Sequence, residues 1–330
     1  MTDGGTGKAG QLSVTARAEA FVAAHMPAAA ALGKRLADEL VDPSLFVPHL
    51  AAGLEGLADP EYRAAQTWIA PGVHGAIGVR GPLVGAIERA LRGPLARSSP
   101  AVAVSLADAL SRDGRFEVRL FAHAMLRRSL PDDPERSWQI VRRLARVASD
   151  WISVDALADV VARGILLEPF RWAEIEQLVY SPGRWERRLA GSTLATLPFR
   201  LPPAARPMLS GRPGLEIVGM LIGDDDADVQ KALSWALRSW RQVDPAGVAG
   251  LLRGEASRAV ERGDGARAWV VRDALTGAGA DEALAAELRT LLAGIRRRPG
   301  APNTSRAHEA AAAYALGSAG REPAAAPLNG

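Results

Sequence analysis

Apolar residues in this chain recur at intervals of three and four and seldom at two, so amphipathic helices rather than strands are predicted along its length. From residue 14 to about residue 58 the spacing is helical, with breaks expected at Pro27, Pro43 and Pro48. Residues 71–82, PGVHGAIGVRGP, read as a Gly/Pro-rich turn ahead of another amphipathic helix over 83–91. Beyond it, helical stretches alternate with short breaks at 129–134, at Pro182 and Gly183, and at 223–226. Residues 1–13, rich in Gly and Thr, are expected to be a disordered lead, and the Ala/Pro-rich residues that close the chain a disordered tail.

Several of these helical stretches share a local pattern: a break, a polar or basic residue, then an Ala/Leu-rich run. Positions 119, 155, 188, 231 and 272 serve as landmarks, spaced by about 36, 33, 43 and 41 residues. Irregular spacing near forty residues suits helical-pair repeats of the HEAT type, whose units bury their apolar faces only against neighbouring units. The predicted architecture is therefore an all-α, HEAT-like helical-repeat solenoid, an α-α superhelix over residues 14–295 with a concave inner face. The run Arg296-Arg297-Arg298-Pro299-Gly300 marks an expected boundary, followed by a C-terminal extension, 296–330, with one more helix over 305–319.

Composition agrees with helix. Of the 330 residues, 48% are hydrophobic but only 5% aromatic, a balance that disfavours sheet. The chain has no cysteine, which excludes disulfides, thiolate metal ligands and thiol nucleophiles and suits a reducing cytoplasm. Its net charge of +3 is mild, yet lysine occurs only at Lys8, Lys34 and Lys231, so nearly every cation is an arginine. Arginine binds phosphate through planar, bidentate contacts, although charge alone argues only weakly for nucleic acid. No apolar run is long enough to span a membrane, and the first residues lack the basic-then-apolar order of a signal peptide, so a cytoplasmic protein is expected. His74, His123 and His308 share no ligand-like spacing, and neither a metal nor a cofactor is assigned.

Three short motifs carry the candidate chemistry. Trp151, Ser153, Val154 and Asp155 form Trp-x-Ser-Val-Asp; Trp185, Arg188 and Ala190 form Trp-x-x-Arg-x-Ala; Gln230, Lys231, Ala232, Trp235, Leu237 and Arg238 form Gln-Lys-Ala-x-x-Trp-x-Leu-Arg, with Asp244-Pro245 after them. In this order, on an all-helical repeat background, they resemble the DNA alkylation repair (AlkD-like) family of HEAT-like DNA glycosylases over roughly residues 60–275. The segment from Gly78 to Pro82 resembles a turn of that family more weakly.

The resemblance implies a monofunctional DNA glycosylase that hydrolyses the N-glycosidic bond of positively charged N3- or N7-alkylated purines without flipping the base. Bulky natural-product adducts, as in self-resistance, fall within the implied range. Asp155 would stabilise an oxocarbenium-like sugar and position water, as carboxylates do in glycoside chemistry. Trp151 and Trp235 would offer electron-rich faces to the same charge. Arg188, Lys231, Arg80, Arg238 and Arg187 would contact double-stranded DNA containing the alkylated purine, and a monomer is expected. Lys231 is the one lysine in the matched stretch and is read as a phosphate contact rather than a Schiff-base amine. Arg80 stands where the family often has glutamine, and Trp68 lies about one position from an expected aromatic, so the lesion-side contacts differ.

Each residue also has a plainer reading. Trp138, Trp172, Trp240 and Trp269 read as packing or surface residues, Asp155 as a solvated or capping acid, and Arg188 as a salt bridge to a neighbouring repeat. The alternative function is a non-catalytic HEAT-like DNA- or protein-binding module. A protein-interaction scaffold would lack clustered arginines on its inner surface.

Overall fold

The computed structural model of the protein describes residues 13–277 and 279–319, all-α with no strand among them. The expected disordered lead and tail therefore lie almost wholly outside the described residues. Two compact units divide the chain, Met1–Ile140 and Val141–Gly330.

The first unit contains α1 (Val14–Leu36), α2 (Pro43–Glu55), α3 (Pro60–Ile69), α4 (Gly81–Arg97), α5 (Pro100–Ser111) and α6 (Phe116–Ser129); α7 (Pro134–Val147) holds the division. Two of the expected breaks are corrected here: Pro27 and Pro48 lie inside α1 and α2, and only Pro43 marks a boundary, as the first residue of α2. A proline inside a helix removes one hydrogen bond and crowds the carbonyl four residues back. Burial compensates. Beyond Pro27, Ala29, Leu32, Gly33 and Leu36 bury the end of α1, which packs against α4. Around Pro48, Phe46, Leu50, Ala51 and Leu54 are all buried.

The Gly/Pro-rich turn before α4 is organised by a residue far away in sequence. Glu117, on α6 and only 1% exposed, accepts hydrogen bonds from the backbone N–H groups of Ile77 (2.8 Å), Gly78 (2.8 Å) and Val79 (3.1 Å). Gly78 is required there twice over. Its φ of 91° is left-handed, and a Cβ would meet the Cβ of Arg63 at 2.5 Å.

The second unit contains α8 (Trp151–Leu167), α9 (Trp172–Leu178), α10 (Arg184–Thr196), α11 (Gly214–Leu221), α12 (Ala227–Trp240), α13 (Pro245–Arg262), α14 (Gly265–Ala274), α15 (Glu282–Leu291) and α16 (Arg306–Ala319). Alternate helices stack in order, α8 on α10, α10 on α12 and α12 on α14, while α11, α13 and α15 form a second row. This is the packing of a helical-repeat solenoid. The α10–α12 contact is the tightest of the series because small residues line it. A Cβ on Gly191 would come within 2.9 Å of the Ala232 Cβ. Trp240, 1% exposed, locks the same pair by donating its indole N–H to the Leu194 carbonyl (2.9 Å), and Trp138 and Trp172 are likewise core.

The helix expected over 305–319 is present as α16, and it packs on α11. The segment leading to it is bound to the repeats rather than set apart from them. The Thr304 N–H donates to the Gly223 carbonyl (2.9 Å), and the Asn303 amide donates to Asp225 (3.0 Å). Beneath it lies a buried charge network. Arg267, 1% exposed, pairs with Glu255 (0%), with Asp264 (3.2 Å), and with the Thr304 carbonyl (2.8 Å).

Candidate functional site

The start of α8 is fixed by Asp150, which is fully buried and caps the helix by accepting from the Ser153 N–H (2.8 Å) and hydroxyl (2.8 Å). That cap sets the register of everything after it. Val154, Leu157, Ala158 and Val161 turn into the core, leaving Trp151 and Asp155, one turn apart, half-buried on another face. On α12 the equivalent cap is Asp226, which accepts from the N–H groups of Asp228 (2.8 Å) and Val229 (3.2 Å). Lys231 and the half-buried Trp235 follow, again one turn apart.

Three donors converge on the Asp155 carboxylate. Arg188 donates from Nε to Oδ1 (3.1 Å) and from Nη2 to Oδ2 (2.8 Å), and the Ser192 hydroxyl donates to Oδ1 (2.6 Å). The third guanidinium nitrogen of Arg188 donates to the Asp228 carbonyl (2.6 Å), so one side chain joins α8, α10 and α12. The Asp155 side chain keeps 20% of its surface while that of Arg188 keeps 6%. Chemically this is an acid held in one orientation by its back edge, with a solvent-facing remainder. A fork-shaped guanidinium pair is among the most rigid ways to hold a carboxylate.

The other expected DNA contacts fall in different settings. Arg188 was expected at a phosphate; here it is buried with every guanidinium nitrogen hydrogen-bonded within the repeats. Arg187 pairs with the wholly buried Asp224 (2.7 Å) and donates to the carbonyls of Ser181 and Pro182 (3.0 Å each). Burial pushes the Asp224 carboxyl above its ordinary value, against the opposing pull of Arg187. Arg238 joins α12 to α14 through the carboxylate and carbonyl of Asp273, which also accepts from Ser234 (2.6 Å). Lys231 remains accessible, 60% exposed, with Asp228 beside its ammonium (3.3 Å). Arg80 lies in the first unit, where it pairs with Asp59 (2.6 Å). Burial alone would raise the Asp59 carboxyl, but the Arg80 guanidinium and the Tyr62 N–H hold it below its ordinary value. Trp68, also in the first unit, is 84% exposed.

Ser192 is the residue of this cluster that sequence reasoning missed. It belongs to no motif, and its position one turn after Arg188 on the same helix was the available signal. The spacing landmarks do not share one register within their helices. Asp155, Arg188 and Lys231 are each the fifth residue of their helices, but the fifth residue of α14 is Trp269. Arg272 instead donates to the carbonyls of Leu292 and Ile295. Trp269, half-buried, carries the Arg297 guanidinium 4.3 Å above its ring.

No described helix is long and apolar enough to cross a membrane. Residues 50–276 match the profile of a protein family described as DNA alkylation repair enzyme. No curated protein matches the chain.

Proposed function

From a chain that belongs to the DNA alkylation repair enzymes, we propose a monofunctional DNA glycosylase that hydrolyses the N-glycosidic bond of N3- or N7-alkylated purines in duplex DNA. Such a base already carries a positive charge and leaves without being protonated. The barrier lies in the cationic deoxyribose, and the catalyst must place negative charge beside that ring. Asp155 is suited to this by its setting: a carboxylate fixed from behind by Arg188 and Ser192 and open on its remaining side. That single arrangement carries the reading. Arg188, too buried to reach far into solvent, acts as the positioning residue. Lys231 is the accessible cation of the set and takes the phosphate contact.

The chain holds an internal precedent for the indole–carboxylate pair. Trp269 and Asp273 lie one turn apart on α14, as Trp151 and Asp155 do on α8, and a cation already sits over the Trp269 ring. The attraction of an aromatic face for positive charge is about 0.5–2 kcal/mol according to exposure. Asp273 adds to it electrostatically at Arg297. At Trp151 and Asp155 the corresponding cation would be the sugar, with Trp235 lending a second face. Gripping backbone and sugar rather than enclosing the base leaves room for bulky adducts.

Duplexes carrying N7-methylguanine, N3-methyladenine or a bulky N3-adenine adduct test this. At least one should release its free modified base and leave an abasic site that alkali cleaves. Release from none of them, alongside tight duplex binding, would favour the non-catalytic binding module instead.

A further inference from the structure

Many arginines of the second unit are tied to acids. Arg184, Arg187, Arg188, Arg238, Arg262 and Arg267 each pair with an Asp or Glu. The run after α15 differs. Arg296 and Arg298 are exposed, and neither forms an ion pair among the described residues. Together with Arg262 they line an open cleft of about 340 Å³ at the turn between α13 and α14. Nearby, burial lowers the pKa of Arg272 and the charge of Arg296 adds to it. Arg262 is offset by Glu309 and Asp264 also lines the cleft, but Arg296 and Arg298 have no acid of their own among the described residues, and an anionic partner would complement them.

The run is not a loose tail. Arg297, between the two, is stacked on Trp269 and donates to the Gln230 side chain. The Arg296 carbonyl lies against Gly265, where a Cβ would approach it to 1.9 Å. Gln230 is the neighbour of Lys231 on α12, and Gly265 begins α14. The arginines are thereby held at the N-terminal ends of α12 and α14, the ends at which Asp155, Arg188 and Lys231 stand on their own helices. The run also lies beyond residues 50–276, the part that the family profile covers.

We propose that Arg296 and Arg298, pinned by Arg297, form a second contact for the phosphate backbone of duplex DNA, extending the interface past Lys231. This rests on the glycosylase reading for its choice of partner. Phosphate contacts made by side chains on one edge of a repeat stack set the register of the duplex without reading its sequence. Arg297 is the positioning residue: it is anchored by stacking on Trp269 and by its hydrogen bond to Gln230, and its neighbours meet the DNA.

Salt-dependent binding decides the matter. For an undamaged duplex, the slope of log affinity against log salt should fall by about 1.8 in the double variant Arg296→Gln/Arg298→Gln, at about 0.9 per phosphate contact. Affinity at low salt should drop about tenfold or more, by the same amount for a lesion-bearing duplex. The rate of base release at saturating protein should not change. Arg296→Lys/Arg298→Lys should keep the parental slope, and Arg297→Gln should lose part of it while keeping the helical circular dichroism spectrum. A parental slope in the folded Gln double variant overturns the proposal, as would equal losses in the Lys and Gln double variants. If the parent binds DNA and releases the base in either case, only this second contact falls. If the parent binds no duplex at all, the functional reading falls with it.

Discussion

Asp155→Asn should lower the single-turnover rate of base release by at least about 10²-fold, the scale on which loss of one electrostatic stabiliser acts. Duplex affinity should remain within a few-fold of the parent. The substitution keeps the shape of the side chain but removes its charge, and it puts an NH₂ where an oxygen now accepts from Arg188 or Ser192. Only one oxygen remains for three donors. The variant should therefore also melt at a somewhat lower temperature, and the rates belong well below that transition. Ser192→Ala removes one donor of the three and should reduce the rate much less. Trp151→Ala and Trp235→Ala should each slow release without changing the helical content. A folded Asp155→Asn protein as active as the parent on every lesion would remove the carboxylate from the mechanism.

The largest expected effect on stability is elsewhere. Arg267→Ala should cost about 3–5 kcal/mol, the range for breaking a buried ion pair by deleting one partner. Arg267 is 1% exposed, Glu255 is 0% exposed, and Asp264 and the Thr304 carbonyl depend on the same guanidinium. Its loss leaves Glu255 with Arg258 alone and Asp264 with only the Thr304 hydroxyl and a backbone N–H, and it loosens the segment that leads to α16. A urea midpoint close to the parent's would contradict this. Arg253 and Glu287 form an equally well-aligned pair (3.1 Å) with about half of each side chain exposed, and Arg253→Ala should move the midpoint little.

What was legible in the sequence was local. Helical periodicity and the four-residue spacing of Trp151 and Asp155 within one motif are properties of a few consecutive residues. They survive into the structure because neighbouring repeats bury the apolar faces they predict. Pro27 and Pro48 misled for the same reason: the local rule against proline in a helix was outweighed by burial against elements distant in sequence. Glu117 organises a turn some forty residues upstream, and no local pattern announces it. Arg188 and Arg187 were legible as basic residues but not as buried ones, because their partners, Asp155 and Asp224, lie 33 and 37 residues away. The run 296–298 reads as a boundary in sequence, and its ties to the repeats, on Trp269, Gln230 and Gly265, are all to residues distant along the chain.

The central claim is that a fixed carboxylate and aromatic faces await a cationic sugar, and a duplex that carries such a cation tests it most directly. One duplex would bear a protonated pyrrolidine in place of a deoxyribose, and a second the neutral tetrahydrofuran of the same shape. The parent should bind the cationic duplex at least about 100-fold more tightly, as enzymes bind mimics of their transition states, and Asp155→Asn should lose that preference. Equal affinity of the parent for the two duplexes would contradict the account.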